Sequence, residues 1–379
     1  MSTHAAWTFP CCPGPPDWRL DWAGLLERFH PWIDPMRGCR QDPGHHAEGD
    51  VFTHTRLVCE VLAASEAWRA LPAPDRSVVF AGALFHDVAK PVCTRIDGDG
   101  TVSSRGHSRR GAALVRRLLL EHAGTPIPTR ETITGLVRHH GLPLFVLEDE
   151  HPGRRVIEAS QTTRCDLLAL VAEADVRGRQ CEDREDLLDR IRLFVDLCRE
   201  ERCLDAPRAF PSPHSRFLYF RGERTSPDHE AYDDTRLEVV MMAGLPGAGK
   251  DTWLRRHLPD TPVVALDAVR AGMGVSPAGD QGRVIARARA LARDHLRAAR
   301  SFVWNATNVT RSMRANLIDL FASYRARIRI VYLEAPLEEI LRRNDCRHDR
   351  VPFAVIQKLL ARLEVPDLTE AHRMEWISG

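Results

Sequence analysis

At about residue 237 the hydrophobic periodicity of the chain changes, and no other feature constrains the fold so strongly. From Asp50 to about Arg202 the segments THTRLVCEVLAASEAW, DRSVVFAGALFHDVAK, GHSRRGAALVRRLLLEHA, RETITGLVRHH and DLLALVAEADVRGR place apolar residues three and four apart, the repeat of an amphipathic helix. From Leu237 the short apolar runs LEVVMMAG, PVVALD, SFVWNAT and RIRIVYLEA alternate with helical stretches, the pattern of a parallel sheet covered by helices. With 379 residues available, two separate cores are expected. The prediction is a multidomain protein with an all-α domain over 46–204 followed by an α/β domain with a parallel sheet over 237–379. Residues 1–45, rich in Pro, Trp and Gly, read as an irregular arm, and the Pro, Ser and charged residues of 205–236 read as a linker.

Composition narrows the class. Hydrophobic residues make up 44% and charged residues 28%, which supplies two cores and excludes wholesale disorder. No apolar run approaches the ~20 residues of a membrane span, and the opening MSTHAAWTFPCCPGPP lacks a charged segment ahead of an apolar one. A cytoplasmic protein with no membrane partner is expected. The 10 cysteines are scattered without a CxxC, giving neither a zinc-ribbon pattern nor a disulfide framework, as in a reducing compartment. The net charge of +1 conceals a split, −5 over residues 1–236 and +6 over 237–379, so the second half is the better partner for a polyanion. Only 3 of the 53 basic residues are lysine, namely Lys90, Lys250 and Lys358. A chain drifted so far toward arginine keeps lysine mainly where a compact ammonium is required, and Lys90 and Lys250 each fall inside a motif.

The first strand of the second half runs into Gly244-Leu245-Pro246-Gly247-Ala248-Gly249-Lys250 and a helix start. Glycines in this order let successive backbone N–H groups turn inward, while the helix N-terminus and Lys250 hold the β- and γ-phosphates of a nucleotide. Gly244, Gly247, Ala248, Gly249, Lys250, Asp251 and Thr252 are thus the expected contacts of ATP, or another NTP donor, with Mg²⁺. The position after the lysine, ordinarily a Ser or Thr whose hydroxyl meets Mg²⁺, is Asp251, followed by Thr252; either is able to serve the metal. Asp267 closes the second strand, where a carboxylate can take the proton of an attacking hydroxyl, and Arg270 three residues on can hold a substrate phosphate. Beyond the third strand stand Asn305, Arg311 and Arg314, with Arg311 a second candidate for substrate. The segment RRNDCRHDRVP carries Arg343 and Arg347, which a closing lid would bring to the transferring phosphoryl group. Arg289, Arg293 and Arg297 recur every four residues on one helix face, either as a phosphate track or as a solvated stripe.

In the first half, imidazoles and carboxylates recur at the polar ends of apolar helices. His54 opens one helix; His86-Asp87 ends VVFAGALF with Lys90 one turn on; His107, His139-His140 and Asp175 follow, with Arg179 one turn after Asp175. Several helices contributing such groups build an inward-facing metal site. The ligand types suit Zn²⁺, Mn²⁺, Fe, Co²⁺ or Ni²⁺ without selecting among them. A metal there activates water for attack on phosphorus, with Lys90 and Arg179 stabilising the developing charge.

Taken together, the GxxGxGK loop, the LDxxR element, the xTN element and the RRNxxRxxRVP segment resemble the kinase module of polynucleotide kinases, which phosphorylate 5′-hydroxyl ends, over about residues 237–379. The resemblance implies Lys250 as phosphate lysine, Asp267 as general base, Arg270 as ligand of a substrate 3′-phosphate, and Arg343 and Arg347 as lid arginines. Related kinases often carry an acid where Asn305 stands, so one carboxylate near Mg²⁺ is expected to have moved to Asp251. The series His54, His86-Asp87, Lys90, GHSxxGA, RHH and Asp175 is similar to the HD phosphohydrolase superfamily over about residues 45–200, and within it HxEGDVxxHT and LVxxH resemble the HD domain of bacterial tRNA nucleotidyltransferases. That likeness implies one metal on His54, His86, Asp87 and Asp175, and a second on Asp87, His107 and His140, with His46 and His139 the nearest competitors.

The order of the two modules resembles the bacterial HD-Pnk type of bifunctional end-healing enzymes. The implied substrates are RNA or DNA ends: the first module removes a 2′,3′-cyclic or terminal phosphate, the second adds a 5′-phosphate, and a separate ligase acts next. Two other readings stay open, an HD nucleotidase joined to a nucleotide or small-molecule kinase, and a regulator that binds ATP without transferring phosphate.

Overall fold

The computed structural model describes residues 7–276, 279–347 and 350–379. The chain divides into two units, Met1–Ala209 and Phe210–Gly379.

VVFAGALF has no polar stripe, and every residue from Ser77 to Phe85 in the helix Ala73–Phe85 is buried, as expected of a helix packed on all sides. Around it stand the helices Val51–Ala64, Ile127–His139 and Cys165–Gly178. Val51–Ala64 begins where the Asp50 carboxylate accepts from the Thr53 N–H at 2.8 Å, a cap contributing about 1 kcal/mol. Its apolar face, including Val51, Val58 and Leu62, is turned inward and carries His54 with it. Gly178 lets the helix Cys165–Gly178 approach closely, because a Cβ there would meet the Val58 backbone N at 2.9 Å. This contact draws the two helices together one turn from Asp175.

The predicted all-α texture holds except for a two-stranded hairpin, β1 (Arg95–Ile96) and β2 (Val102–Ser103), paired antiparallel. The turn between them contains Asp97-Gly98-Asp99-Gly100, whose Gly100 has φ +87°. The stretch expected as an irregular arm is different in its described part. Phe9 stacks on Phe29 with centroids 5.3 Å apart and meets Phe80 and Phe85 edge-on, and the helix Trp22–Ile33 buries Leu25, Phe29 and Ile33. Aromatic anchors fix this segment into the same core, and residues 1–6 of the expected arm lie outside the described residues.

In the second unit β3 (Leu237–Ala243), β4 (Val263–Ala265), β5 (Phe302–Asn305), β6 (Ala326–Glu334) and β7 (Arg373–Ser378) form a parallel sheet in the order β4-β5-β3-β6-β7. Val239, Met241 and Met242 of β3 are wholly buried, as expected of a strand covered on both faces. The GxxGxGK loop, residues 244–250, follows β3 directly, and Asn305 at the end of β5 lies beside Met242. No helix of the described residues is long and apolar enough to cross a membrane.

The stretch expected as a linker is largely built into this unit. The helix Pro213–Phe220 stacks Phe217 on His372 at 4.0 Å, and Arg216 donates to the Leu368 and His372 carbonyls. Its Pro and Ser, which suggested a connector, are the start and cap of a short helix: Ser212 accepts from the Ser215 N–H. His372 accepts from the Ile328 N–H through Nδ1 at 3.0 Å and faces His214 at 3.1 Å. Burial first, then His214, push the His372 imidazole down to about 3. As pH falls below about 6.5 the unfolded chain takes up this proton and the folded chain does not, so stability is lost by up to about 1.4 kcal/mol per pH unit toward pH 3. Protection factors at Ile328–Tyr332, the exchange rates taken relative to the intrinsic rate at each pH, should therefore fall below pH 6.5, and less steeply in His372→Asn; equal slopes would exclude His372 as the cause.

Candidate active sites

Five helix ends meet in the first unit, and the side chains they present converge. His54 Nε2 lies 3.0 Å from Asp175 Oδ1 and 4.0 Å from Asp87 Oδ2. His86 Nε2 lies 3.2 Å from Asp87 Oδ2, 3.3 Å from His54 Nε2 and 3.9 Å from Asp175 Oδ1. The other Asp87 oxygen, Oδ1, faces His107 Nε2 at 3.3 Å and His140 Nε2 at 3.8 Å, and these two nitrogens are 3.2 Å apart. Donors held about 2.1 Å from one ion stand about 3 to 4 Å from each other, which is the spacing of both groups. Asp87 joins the groups by turning one oxygen to each.

The ring tautomers explain why a cation suits this cluster. Nδ1 of His86, His107 and His140 contacts the carbonyl three residues back, at Ala83, Ser104 and Val137, at 2.7, 2.8 and 2.9 Å. A carbonyl only accepts, so Nδ1–H must donate and each Nε2 is left as a bare lone pair aimed at the others. His54 lies between two carboxylates, with Nδ1 2.8 Å from Glu48 and Nε2 3.0 Å from Asp175, so its contacts do not fix which nitrogen carries the proton. Asp87 Oδ1 is buried and has no hydrogen-bond donor. Lone pairs and carboxylates packed this closely repel unless a cation stands among them. The residues therefore fit a divalent metal.

The electrostatics agree for His107 and His140, while His86 is drawn toward its charged form by the carboxylates that a cation would otherwise neutralise. Burial first, then His86, push His140 down to about 3, and burial lowers His107 as well, keeping both imidazoles neutral as ligands must be. Burial opposes charge on His86 too, but Asp87 and Asp175 outweigh it and raise its pKa. Against the same burial penalty, Lys90 and His86 hold Asp87 well below the usual carboxylate range, and Arg179 and His54 do so for Asp175.

Lys90 Nζ lies 2.7 Å from Asp87 Oδ2 and donates to Gln41 Oε1 at 2.7 Å. Arg179 donates through Nε and Nη2 to the two Asp175 oxygens. Lys90, Arg179, Asp87, His107, His140 and His46 all line a cavity of about 340 Å³. Of the two neighbouring histidines, His140 joins the cluster and His139 does not. The sequence reading missed two residues. Glu48, inside the quoted HxEGDVxxHT phrase, lies 2.8 Å from both His46 and His54; Gln41, which orients Lys90, carries no local signal.

In the second unit the glycines do what the loop requires. Gly244, Gly247 and Gly249 have φ of +134°, +84° and +98°, and a Cβ on Gly244 would lie 2.2 Å from the Leu333 carbonyl oxygen. Lys250 donates to the Gly244 and Leu245 carbonyls at 3.0 and 2.9 Å. Burial pushes it down to about 8 against the pull of Asp251 and Asp267. Asn305 Nδ2 donates to Asp251 Oδ1 at 2.7 Å, while Thr252 accepts from Arg255.

Asp267 and Arg270 are bonded to each other, and Arg347 Nη2 stands 4.0 Å from Asp267. Arg343, on the helix Leu337–Asp345, reaches the Gly247 carbonyl at 3.3 Å. These four expected residues and the loop thus share one end of the sheet. His348 and Asp349 of the expected lid segment lie outside the described residues. Arg311, the second candidate for substrate, is bound through its guanidinium to Asp367 and Thr369, which ties it to the segment before β7. Arg314 is wholly buried, donating from Nε and Nη2 to the Glu370 carboxylate.

The chain is therefore a helical HD domain followed by a P-loop domain built on a parallel sheet. An HD domain family model matches residues 51–176, and an AAA domain model matches residues 239–366. Among characterised proteins, the Multifunctional CCA protein of Halorhodospira halophila is 33% identical over 236 residues, 60% of this chain and 51% of that protein. That of Methylococcus capsulatus is 30% identical over 172 residues, 41% of this chain and 35% of that one. The chain thus spans about a third to a half of the length of these relatives. Solved structures similar to part of the chain include a candidate kinase from Chloroflexus aurantiacus (18% identity, TM-score 0.31, 38% of this chain and 86% of that one) and a sugar kinase from a Janibacter species (23%, 0.28, 38% and 85%).

Proposed function

We propose that this chain is a bifunctional nucleic-acid end-healing enzyme. The first unit acts as a metal-dependent 2′,3′-cyclic phosphodiesterase and 2′(3′)-phosphatase, and the second as an ATP-dependent 5′-hydroxyl polynucleotide kinase. The observation that carries the reading is the pairing, in one chain, of a His/Asp cluster flanked by Lys90 and Arg179 with a P-loop whose sheet end also holds Asp267, Arg270 and Arg347.

His54, His86, Asp87 and Asp175 would hold one divalent cation, and Asp87, His107 and His140 a second, from the Mn²⁺, Ni²⁺, Co²⁺, Zn²⁺ or Fe class. When bound, such a cation supplies Lewis acidity and lowers the pKa of water. Lys90 and Arg179, each fixed by a carboxylate, face the cavity as cations and offset charge on the phosphate oxygens. In the second unit Lys250 exchanges its two carbonyl partners for nucleotide phosphate. Asp267 takes the proton of the 5′-hydroxyl as the new O–P bond forms and the bond to the β-phosphate oxygen breaks. Arg270 holds the acceptor phosphate, while Arg343 and Arg347 neutralise the transferring group. The RNA or DNA end is the substrate, and the product, with its 5′-phosphate and free 3′ end, is what a ligase consumes.

The discriminating experiment offers ATP, Mg²⁺ and Mn²⁺ with an oligonucleotide bearing a 2′,3′-cyclic phosphate and a 5′-hydroxyl, beside free nucleosides and sugars. The expected result is a 5′-phosphorylated, 3′-dephosphorylated strand. Preferred phosphorylation of nucleosides or sugars would replace this reading with a small-molecule kinase, and ATP binding without transfer would replace it with a sensor.

Asp251 is the proposed Mg²⁺ contact, oriented by the Asn305 amide. A carboxylate at 305 would repel Asp251, whereas the amide steers it. Asp251→Ala should weaken ATP binding in the presence of Mg²⁺ by about 10–100-fold and leave metal-free ATP binding unchanged, measured calorimetrically; Thr252→Ala should do neither. The opposite pattern assigns the metal to Thr252.

A further inference from the structure

The helix Cys165–Gly178 presents Asp175 near one end and Cys165 at the other, about 15 Å apart along its axis. Cys165 meets Cys198, in the last turn of the helix Arg184–Glu200, and Cys203 just beyond it. One sulfur from each lies within 4.8 Å of the other two, and all three residues are at most 1% exposed. The chain folds back to make this possible: Arg202 has φ +53°, the Cys203 N–H donates to the Cys198 carbonyl at 2.8 Å, and the Asp166 N–H donates to the Leu204 carbonyl at 2.9 Å. The sequence hid the cluster, because one ligand is more than thirty residues from the other two.

Buried cysteines commonly serve as small apolar fillers, but three sulfurs seldom need one another's company to do so. Thiolates held about 2.3 Å from one ion stand about 3.8–4.0 Å apart, which the cluster can meet, and all three cysteines are free thiols. Cys198 and Cys203 are separated by four residues, a spacing found in zinc sites.

We propose that Cys165, Cys198 and Cys203 form a structural trithiolate site for a thiophilic divalent cation, Zn²⁺ foremost, separate from the His/Asp cluster. Binding releases the three thiol protons to solvent and forms three metal–sulfur bonds, with no change of oxidation state. The ion fastens the start of the helix Cys165–Gly178 to the end of its neighbour, and so anchors from behind the element that carries Asp175 and leads into Arg179.

The test uses the full-length chain, stripped of metal and fully reduced, titrated with Co²⁺ alone. Thiolate ligands give a sulfur-to-cobalt charge-transfer absorption that His and Asp ligands cannot produce. One equivalent of this band, bleached by one equivalent of Zn²⁺ and lost in both Cys198→Ala and Cys203→Ala, is the expected result. Because the wild-type titration decides the matter, misfolding of a variant does not. Absence of the band with all ten thiols counted as reduced would overturn the site, and so would a mass two units lower, from a disulfide joining two of the three.

Discussion

Asp87→Asn is expected to lower phosphate release by the first unit roughly 10³-fold or more, while ATP-dependent transfer by the second proceeds at the wild-type rate. Asp87 is the one residue whose two oxygens address both ligand groups. Losing its single negative charge weakens both at once, and several kcal/mol of Lewis-acid stabilisation at about 1.36 kcal/mol per decade gives that factor. The substitution preserves volume, and Gln41 still accepts from Lys90, so the buried ammonium keeps a partner. Mn²⁺ binding, read by the loss of the free-ion resonance, should fall in parallel. Unaltered phosphate release in a folded Asp87→Asn protein would detach the His/Asp cluster from catalysis.

The second large effect is at Lys250. Lys250→Ala should cost about 10²–10³-fold in phosphoryl transfer, the range for removing one preorganised charge-stabilising donor, and spare phosphate release. Its ammonium is drawn out of water and its pKa lowered, so charged phosphate oxygens are better partners than the two carbonyls it meets in the loop. Lys250→Arg should rescue little. The chain uses arginine at nearly every other basic position yet keeps lysine here, where a compact ammonium meets the Gly244 and Leu245 carbonyls and a planar fork is not its equivalent. Rates measured with saturating and limiting ATP separate lost binding from lost transfer; recovery of most activity in Lys250→Arg would mean that only charge matters.

Much of this architecture was legible because each half repeats one period faithfully. The shift from helical spacing to short apolar runs at Leu237 reports the start of β3 itself, and Gly244, Gly247 and Gly249 announce their positive φ by being glycines in that order. Other features depend on partners distant in sequence. Phe9 looks irregular until Phe29, Phe80 and Phe85 surround it, and Pro213–Phe220 looks like a tether until His372 and the Leu368 carbonyl receive it. The metal-binding candidates were nameable as residue types at helix ends, but Glu48 and Gln41 act by touching other side chains, His54 and Lys90, which no local pattern records. Arg311 is of the same kind: no local pattern records that Asp367 and Thr369, more than fifty residues on, hold its guanidinium.

The most direct test of two independent phosphate-handling centres mixes Asp87→Asn and Lys250→Ala in one tube with the doubly blocked oligonucleotide, ATP, Mg²⁺ and Mn²⁺, and follows each end of the strand separately. Each variant alone should complete one end only, and the mixture should complete both. Loss of both activities in either single variant, with its fold intact, would contradict the account.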